Sequence, residues 1–365
     1  MSGSTSKVWK FEPLDSWFFR DASPYNAGEG GQSGAGVVFP PFMNTVQGAV
    51  RIALAHGRGW TWGCDERWPA ELGTPEELGE VKLAGPYVLK HGEILYPAPL
   101  CLLCRSSSGG DAPLYVRLKP GEAVESDIGL RRFPVASPRL SDLKAAEGLW
   151  LDATGMERVL DGGVPVAEQV YRQGDLWTEE GRTGLTRDAT RRTALTGHLY
   201  SCRHVRLRDG VSLGVLVRGV PEDWHPAVPR LVPLGGEGRM AVCTVSDAGV
   251  PLVRPGRPAP CGGKVRFTVT LLTPGRYRDT RRALLQGPPG VPGKCVAACT
   301  GKTVPAGGWD SRHRRPRPLG PMIPAGSTWF FEAEERLADE ITALHGSNNG
   351  DPWGFGQILI GSWRE

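Results

Sequence analysis

The sequence predicts an α+β fold made of two β-α-β-type halves, and three observations point there. Short β-branched runs recur from VWKFEP at 8–13 to QILIGSW at 357–363. Helical periodicity is clear at 44–57 near the start and again at 336–344,. Fifty glycines and 32 prolines call for many tight turns and long loops, which disfavours a doubly wound sheet.

At 365 residues the chain has room for two domains, each with its own core. The expected division is 1–220, with an inserted helical and loop region at about 120–198, and 221–365. Apolar residues make up 40% with no long apolar run, and the net charge is only +4. Residues 1–7 lack the apolar stretch of a signal peptide, so a cytoplasmic protein is expected. Of eight cysteines, Cys64, Cys202, Cys243 and Cys261 stand alone, while Cys101/Cys104 and Cys295/Cys299 form close pairs. Neither pair has the knuckle glycines or nearby histidine of a zinc site, so buried reduced thiols are the expectation.

Val8 to Pro13 alternates and reads as the first strand. The cluster Trp17, Phe18, Phe19 follows, then Arg20-Asp21 and a Gly-rich loop from Gly28 to Gly36. That loop fails the dinucleotide fingerprint at Ser33. Pro40-Pro41-Phe42 opens a helix in which Asn44 can cap, Gln47 can reciprocate, and Val46, Ala49, Val50, Ala53 and Leu54 face inward until Gly57. Gly48 would admit another backbone, and Arg51 projects one turn later. Gly85 to Leu103 reads as a hairpin turning near His91-Gly92, and 105–125 as polar connection. Leu130 to Gly148 reads as a loop and short helix, with Arg131, Arg132, Arg139 and Lys144 around Phe133, a mix able to grip a single strand by charge and stacking.

The central stretch, Gly181 to Arg208, holds seven arginines (182, 187, 191, 192, 203, 206 and 208) against one acid, Asp188. Its first half, to Gly197, has no apolar period and reads as an exposed loop whose guanidinium forks and hydroxyls suit phosphate oxygens. From Leu199, the turn Asp209-Gly210 and the alternation of Val205, Leu207, Val211, Leu213, Val215 and Val217 make a hairpin. The alternative is that these arginines pair with carboxylates elsewhere in the fold.

Beyond it, LGGEGR at 234–239 is a turn into a strand, Lys264 to Leu272 and Lys294 to Thr300 are strands, and Gly301-Lys302-Thr303 fails the P-loop pattern at Val296. GGWDSRHRRPRPLG sets Trp309 beside Arg312, His313, Arg314, Arg315 and Arg317, a second basic patch with an aromatic. A strand from Ser327, a helix over Arg336 to Leu344 and a strand from Gln357 close the chain. Between the last two, Trp353, Gly354, Phe355 and Gly356 lie in a Gly-rich loop able to follow a nucleic-acid backbone. Two halves with a helix between strands and Gly- or Arg-rich loops on the rim suggest a duplicated ferredoxin-like, RRM-like fold.

Taken together, FEPLDSWFFRDASPY, FPPFMNTVQGAVR, GRTGLTRDATRRTALTGHLY, LGGEGR, GGWD, PAGS and the closing GFG make the chain resemble the RAMP superfamily, specifically the Cmr3-type subunit of type III-B CRISPR effector complexes. The resemblance covers nearly the whole chain. It implies two ferredoxin-like domains, no nuclease activity, no cofactor and no membrane partner. It implies a subunit that holds the 5′ tag of the CRISPR RNA, meets the large polymerase-like subunit and a backbone RAMP subunit, and serves antiviral defence, with target RNA an indirect partner. By position, Arg20, Asn44 and Arg51 would flank the RNA path, Arg182, Thr186, Thr190, Arg191 and Arg192 would bind the tag, and Gly354 to Gly356 would form the C-terminal Gly-rich loop. Arg131, Arg132, Arg187, Trp309, Arg312, Trp353 and Phe355 complete the expected RNA-binding set. Where such proteins often have Arg-Asp-Gly-Arg-Pro, this one has Arg20-Asp21-Ala22-Ser23-Pro24, without the second positive charge. Two rival readings remain: a metal-independent endoribonuclease drawn around His198, Tyr200, Arg203 and His204, and an architectural subunit that never touches RNA.

Overall fold

The computed structural model describes residues 6–22, 36–105, 112–127, 129–138, 140–188, 190–247, 249, 251–310, 313, 315–348 and 350–364. The fold is α+β and sheet-rich. By internal contacts it divides into two compact units: Met1–Gly92, Gly174–Gly249 and Pro305–Gly320 in the first, Glu93–Gln173, Val250–Val304 and Pro321–Glu365 in the second. The units interleave along the chain, whereas the sequence reading divides it once, at about residue 220.

In the first unit, β1 (Lys7–Pro13) leads to α1 (Met43–Gly57) and β2 (Lys82–Lys90). The chain returns at β3 (Trp177–Arg187), β4 (Ala194–Leu207), β5 (Val211–Arg218) and β6 (Met240–Ser246). The sheet runs β6-β1-β5-β2, antiparallel throughout, with the short strand Arg230–Pro233 outside β6. Alternation decides what is buried: Trp9 and Phe11 on β1 and Leu213, Val215 and Val217 on β5 are wholly enclosed,. The inward face of α1 is the one the 3.6 period predicts, with Val46, Val50 and Leu54 fully buried, and it packs against β2 and Arg230–Pro233.

The helix start differs from expectation. Phe42 occupies the cap position with no side-chain bond, and Asn44, one residue inside the helix, donates instead to the Gly307 carbonyl at 2.6 Å. A Cβ on Gly48 would meet nothing within 4 Å, so no second backbone among the described residues approaches there.

The larger difference lies in the central stretch. The segment read as a loop is strand β3 and the start of β4, in register from Trp177↔Leu207 to Leu185↔Leu199 with an irregularity before Arg187. Backbone pairing makes this ladder, and polar side chains on both faces leave no apolar period to betray it. Of the described residues read as loop, only 188 and 190–193 remain as a turn.

In the second unit, β7 (Lys264–Leu271), α2 (Thr280–Gln286), β8 (Lys294–Cys299), β9 (Thr328–Glu334), α3 (Ala338–Ala343) and β10 (Ile358–Ser362) form a sheet in the order β10-β7-β9-β8, antiparallel throughout. Val265, Phe267, Val269, Trp329, Phe331, Ile358 and Ile360 build its core with Ala283 of α2 and Ile341 of α3. Phe267 stacks on Phe331 at 5.2 Å. Residues expected as polar connection and loop form a hairpin instead, Leu114–Ser126 with Gly129–Ala136, and the short helix expected before Gly148 is replaced among the described residues by turns and the short strand Lys144–Ala145. Arg117, on its first strand, donates to the Ser362 carbonyl of β10 at 2.9 Å. No helix among the described residues is long and apolar enough to cross a membrane.

Candidate nucleic-acid interface

The β3-β4 hairpin sorts its arginines into two groups. Near its base, Arg182 reaches Asp15 at 2.9 Å and Glu180 at 3.0 Å, and Arg206 reaches the same two carboxylates at 2.8 and 2.7 Å. Arg203 pairs with Glu179 at 2.9 Å, and Arg239 lies 3.6 Å from Asp15. The pairs 179–203 and 180–206 are diagonal neighbours in the register, where long opposite charges meet,. Arg182 and then Arg206 hold the Asp15 carboxyl down to about 2, and Arg206 and then Arg182 lower that of Glu180. The charge of Arg182, expected on the RNA, is thus engaged by carboxylates.

The tip is built differently. Asp188 Oδ1 accepts from the backbone amides of Thr190 and Arg191, each at 2.8 Å, and its own backbone brackets the turn through Asp188 N to Thr193 O and Arg192 N to Asp188 O. Arg192 adopts φ 57°. One Asp side chain therefore folds the turn, and Arg187, Thr190, Arg191 and Arg192 stand exposed on it. Arg187 donates to the Arg192 carbonyl at 3.3 Å. Among the described residues no carboxylate pairs with Arg187, Arg191 or Arg192. The Thr186, His198 and Tyr200 side chains lie outside the described set, as do Arg139, Arg312 and Arg314.

His204 lies at the hairpin base, fully enclosed and stacked on Phe18 at 5.4 Å. Burial lowers its pKa, opposed by the Glu237 carboxylate. An imidazole with no exposed surface is not placed to reach a ribose hydroxyl.

A second cluster in the same unit surrounds α1. Arg51 is buried rather than projecting: it donates to Gln47 at 3.0 Å and to the Thr74 carbonyl at 2.7 Å, with its guanidinium 5.4 Å from the Trp68 ring. Burial, then the Arg317 charge, pushes its pKa down to about 10. Arg317 donates to the next carbonyl, Pro75, at 2.8 Å. Beside them Trp309 is 60% exposed, on a turn that Asp310 fastens to His313 at 2.8 Å. Arg20 is exposed and bridges Val37.

In the second unit, Arg131, Arg132 and Phe133 line a groove of about 480 Å³ with Leu284, strand β8 and the residues that follow it to Thr303. The C-terminal Gly-rich loop departs from expectation. Trp353 and Phe355 are buried, at 7% and 2% exposure, under Arg276, which sits 5.6 and 4.7 Å from their rings and 3.0 Å from Asp351. Gly354 and Gly356 take φ 81° and 70°, which turns both aromatics inward. They are core side chains here, not stacking platforms for bases.

The sequence reading missed Asp15, Glu179 and Glu180 as the partners of the arginines. Glu179-Glu180 directly precedes the Arg-rich stretch and was a legible signal; Asp15, 167 positions from Arg182, was not.

The chain matches the family described as CRISPR-associated protein (Cas_Cmr3) over residues 9–363. No curated protein sequence matches it. Its fold is similar to a chain in a cryo-EM structure of the Type III-B Cmr-beta bound to cognate target RNA, at 14% identity and TM-score 0.53, covering 99% of each chain. It is similar also to a chain in the Cmr-beta structure bound to cognate target RNA and AMPPnP, at 14% identity and TM-score 0.52, covering 93% of this chain and 89% of that one. With the family matched almost from end to end, this chain belongs to the Cas_Cmr3 family of CRISPR-associated proteins.

Proposed function

We propose that this protein is a non-catalytic RNA-binding subunit of a type III-B CRISPR effector, and that its β3-β4 hairpin holds the repeat-derived 5′ tag of the CRISPR RNA. The observation that carries the reading is the turn at 188–193. A single Asp folds it so that Arg187, Arg191 and Arg192 stand exposed without a described carboxylate partner, while the base arginines are neutralised. Guanidinium forks on a fixed turn with open hydroxyls suit the phosphates of a splayed single strand.

Both units are read as ferredoxin-like. Taken in chain order, each core has its fourth strand beside the first, then the third, then the second: β6-β1-β5-β2 and β10-β7-β9-β8. That is the order of a split βαβ, and the second unit also supplies both helices. The exposed Trp309 would stack a base, and Arg131, Arg132 and Phe133 offer a further contact for RNA. The large polymerase-like subunit and a backbone RAMP subunit are the expected neighbours, in the cytoplasm.

The test mixes purified protein with labelled single-stranded RNA bearing a repeat-derived 5′ end, with and without metal ions, and scores binding and cleavage in one gel. Intact RNA in a salt-sensitive complex, weakened when Arg187, Arg191 and Arg192 are changed together to alanine, supports the proposal. Unchanged affinity in that variant removes the hairpin tip from the RNA path. Specific cleavage makes the protein a processing nuclease instead.

A further inference from the structure

The base of the hairpin carries a chemistry that RNA binding does not use. Cys202 and His204 are two residues apart on β4, so their side chains leave the same face of the strand, and both are buried, at 3% and 0% exposure. Glu237 meets them from the turn before β6. Its carboxylate lies 3.6 Å from Cys202 Sγ and 3.1 Å from His204 Nε2. One ligating atom from each residue falls within 4.8 Å of the other two, and among the described residues no other His, Cys, Asp and Glu group does so. We propose that Cys202, His204 and Glu237 form a binding site for a zinc-class divalent cation, with a fourth position open to water or a partner group.

Distances and donor types agree. With Zn–S near 2.3 Å and Zn–N and Zn–O near 2.1 Å, neighbouring ligands of a tetrahedral ion lie about 3.3–3.7 Å apart. Of the two observed separations, 3.6 Å to Oε1 lies inside that range and 3.1 Å to Oε2 falls just below it, so a cation enters with shifts of a few tenths of an ångström. A thiolate, an imidazole and one carboxylate suit a borderline-soft ion, not the all-oxygen preference of magnesium or calcium.

The surroundings orient these ligands. Ser16 Oγ lies 3.1 Å from His204 Nδ1 and 3.4 Å from an Asp15 carboxylate oxygen. Without an ion Nε2–H donates to the Glu237 carboxylate; on cation binding the ring proton sits on Nδ1, donating to Ser16, which leaves the Nε2 lone pair for the ion. A hydrogen bond on the second ring nitrogen is the usual partner of a metal-bound histidine. Glu237 holds φ 54°, a conformation unusual for a residue other than glycine, in a turn pinned by Gly236 N to Phe18 O at 2.8 Å. The Arg182 and Arg239 charges oppose a cation, and Asp15, bonded to both, offsets them. On binding, a Zn–S bond forms and the thiol proton passes to solvent, with no change of oxidation state. The ion would join β4 to the Gly-rich turn at 234–239.

The test titrates chelator-treated, full-length protein with Co²⁺. The expected result is one ion per chain, with thiolate-to-cobalt charge transfer in the near ultraviolet and the intense visible bands of a four-coordinate ion. Cys202→Ser should abolish the charge-transfer band, whereas Cys64→Ser with Cys261→Ser, which removes the exposed thiols, should leave it. Ser16→Ala should weaken the affinity by about 10- to 100-fold. Because His204 variants can fail to fold, Glu237→Gln serves as the third ligand variant: Zn²⁺ should raise the melting temperature of the wild type and not of E237Q. Absence of the band, its persistence in C202S, or an equal rise in E237Q would each overturn the proposal.

Discussion

Asp15 and Arg182 meet at 2.9 Å, which ties the segment after the first strand to the hairpin more than a hundred and sixty positions along the chain. The same carboxylate holds Arg206 at 2.8 Å. Together with Glu180, which pairs with the same two arginines, this acid fixes the hairpin base and offsets two positive charges on the surface available to a polyanion.

Asp15→Asn should lower stability at neutral pH by about 0.2–1 kcal/mol for each exposed pair lost. The folded-state pKa of Asp15 is depressed from 3.8 to about 2. Its contribution is therefore fully present above about pH 4 and is lost as the pH falls towards about 2. Denaturant midpoints of wild type and D15N, compared down this range, should converge at the acid end; a constant gap would refute the assignment.

For RNA, the two arginine groups should separate cleanly. Each phosphate contact to a single strand contributes roughly −0.7 to the slope of log affinity against log salt, so R187A/R191A/R192A should flatten the slope by about 2. Arg182→Ala should leave the slope almost unchanged while shifting the denaturant midpoint. Fluorescence anisotropy at several salt concentrations reads both effects.

Two glycines should respond with opposite sign. Gly219 has φ +84°, and a Cβ there would come within 1.9 Å of the Glu80 carbonyl oxygen. Gly219→Ala should cost more than about 1 kcal/mol. Gly48, inside α1 with open space around it, should gain roughly 0.4–1 kcal/mol on substitution by alanine. Chemical denaturation of both variants should show a lower midpoint for G219A and a higher one for G48A.

Trp309 and Trp353, both assigned by sequence to RNA, should part ways. Trp309→Ala should change stability by less than about 0.5 kcal/mol and weaken single-strand binding by about 1–3 kcal/mol. Trp353→Ala should instead cost about 3–5 kcal/mol of stability, with any loss of binding following unfolding. Parallel melts and binding isotherms distinguish the two.

Where burial leaves a period, the sequence was readable. The strands β1, β5, β7 and β10 and the inner face of α1 were legible because Trp9, Phe11, Leu213, Phe267 and Val50 alternate or repeat as a packed face requires,. The turn at Asp209-Gly210 was legible from its chemistry, but the hairpin read around it does not form: β4 pairs with β3, while β5 lies between β1 and β2. Strand β3 was not, because Thr, Gly, Glu and Arg on both faces leave only backbone pairing and diagonal ion pairs to hold it. The strand Leu114–Ser126 was hidden by Pro120 and Gly121 at its irregularity. Within the candidate interface, the residue types of the tip were visible, but which arginines are already neutralised depends on Asp15, and no local pattern reveals that.

Each unit is assembled from three separate stretches of the chain, and the two sets alternate. During synthesis, therefore, neither unit has all its residues when the other begins: the first lacks Pro305–Gly320 until late, and the second lacks β9 and β10 until later still. A nascent chain halted at residue 304 would expose one unfinished sheet, β7 and β8 without β9 and β10, so newly made protein should depend on chaperone protection until its last sixty residues emerge,. No single cut yields an autonomous half, and dissecting the protein calls for splicing the three stretches of one unit together rather than for truncation,.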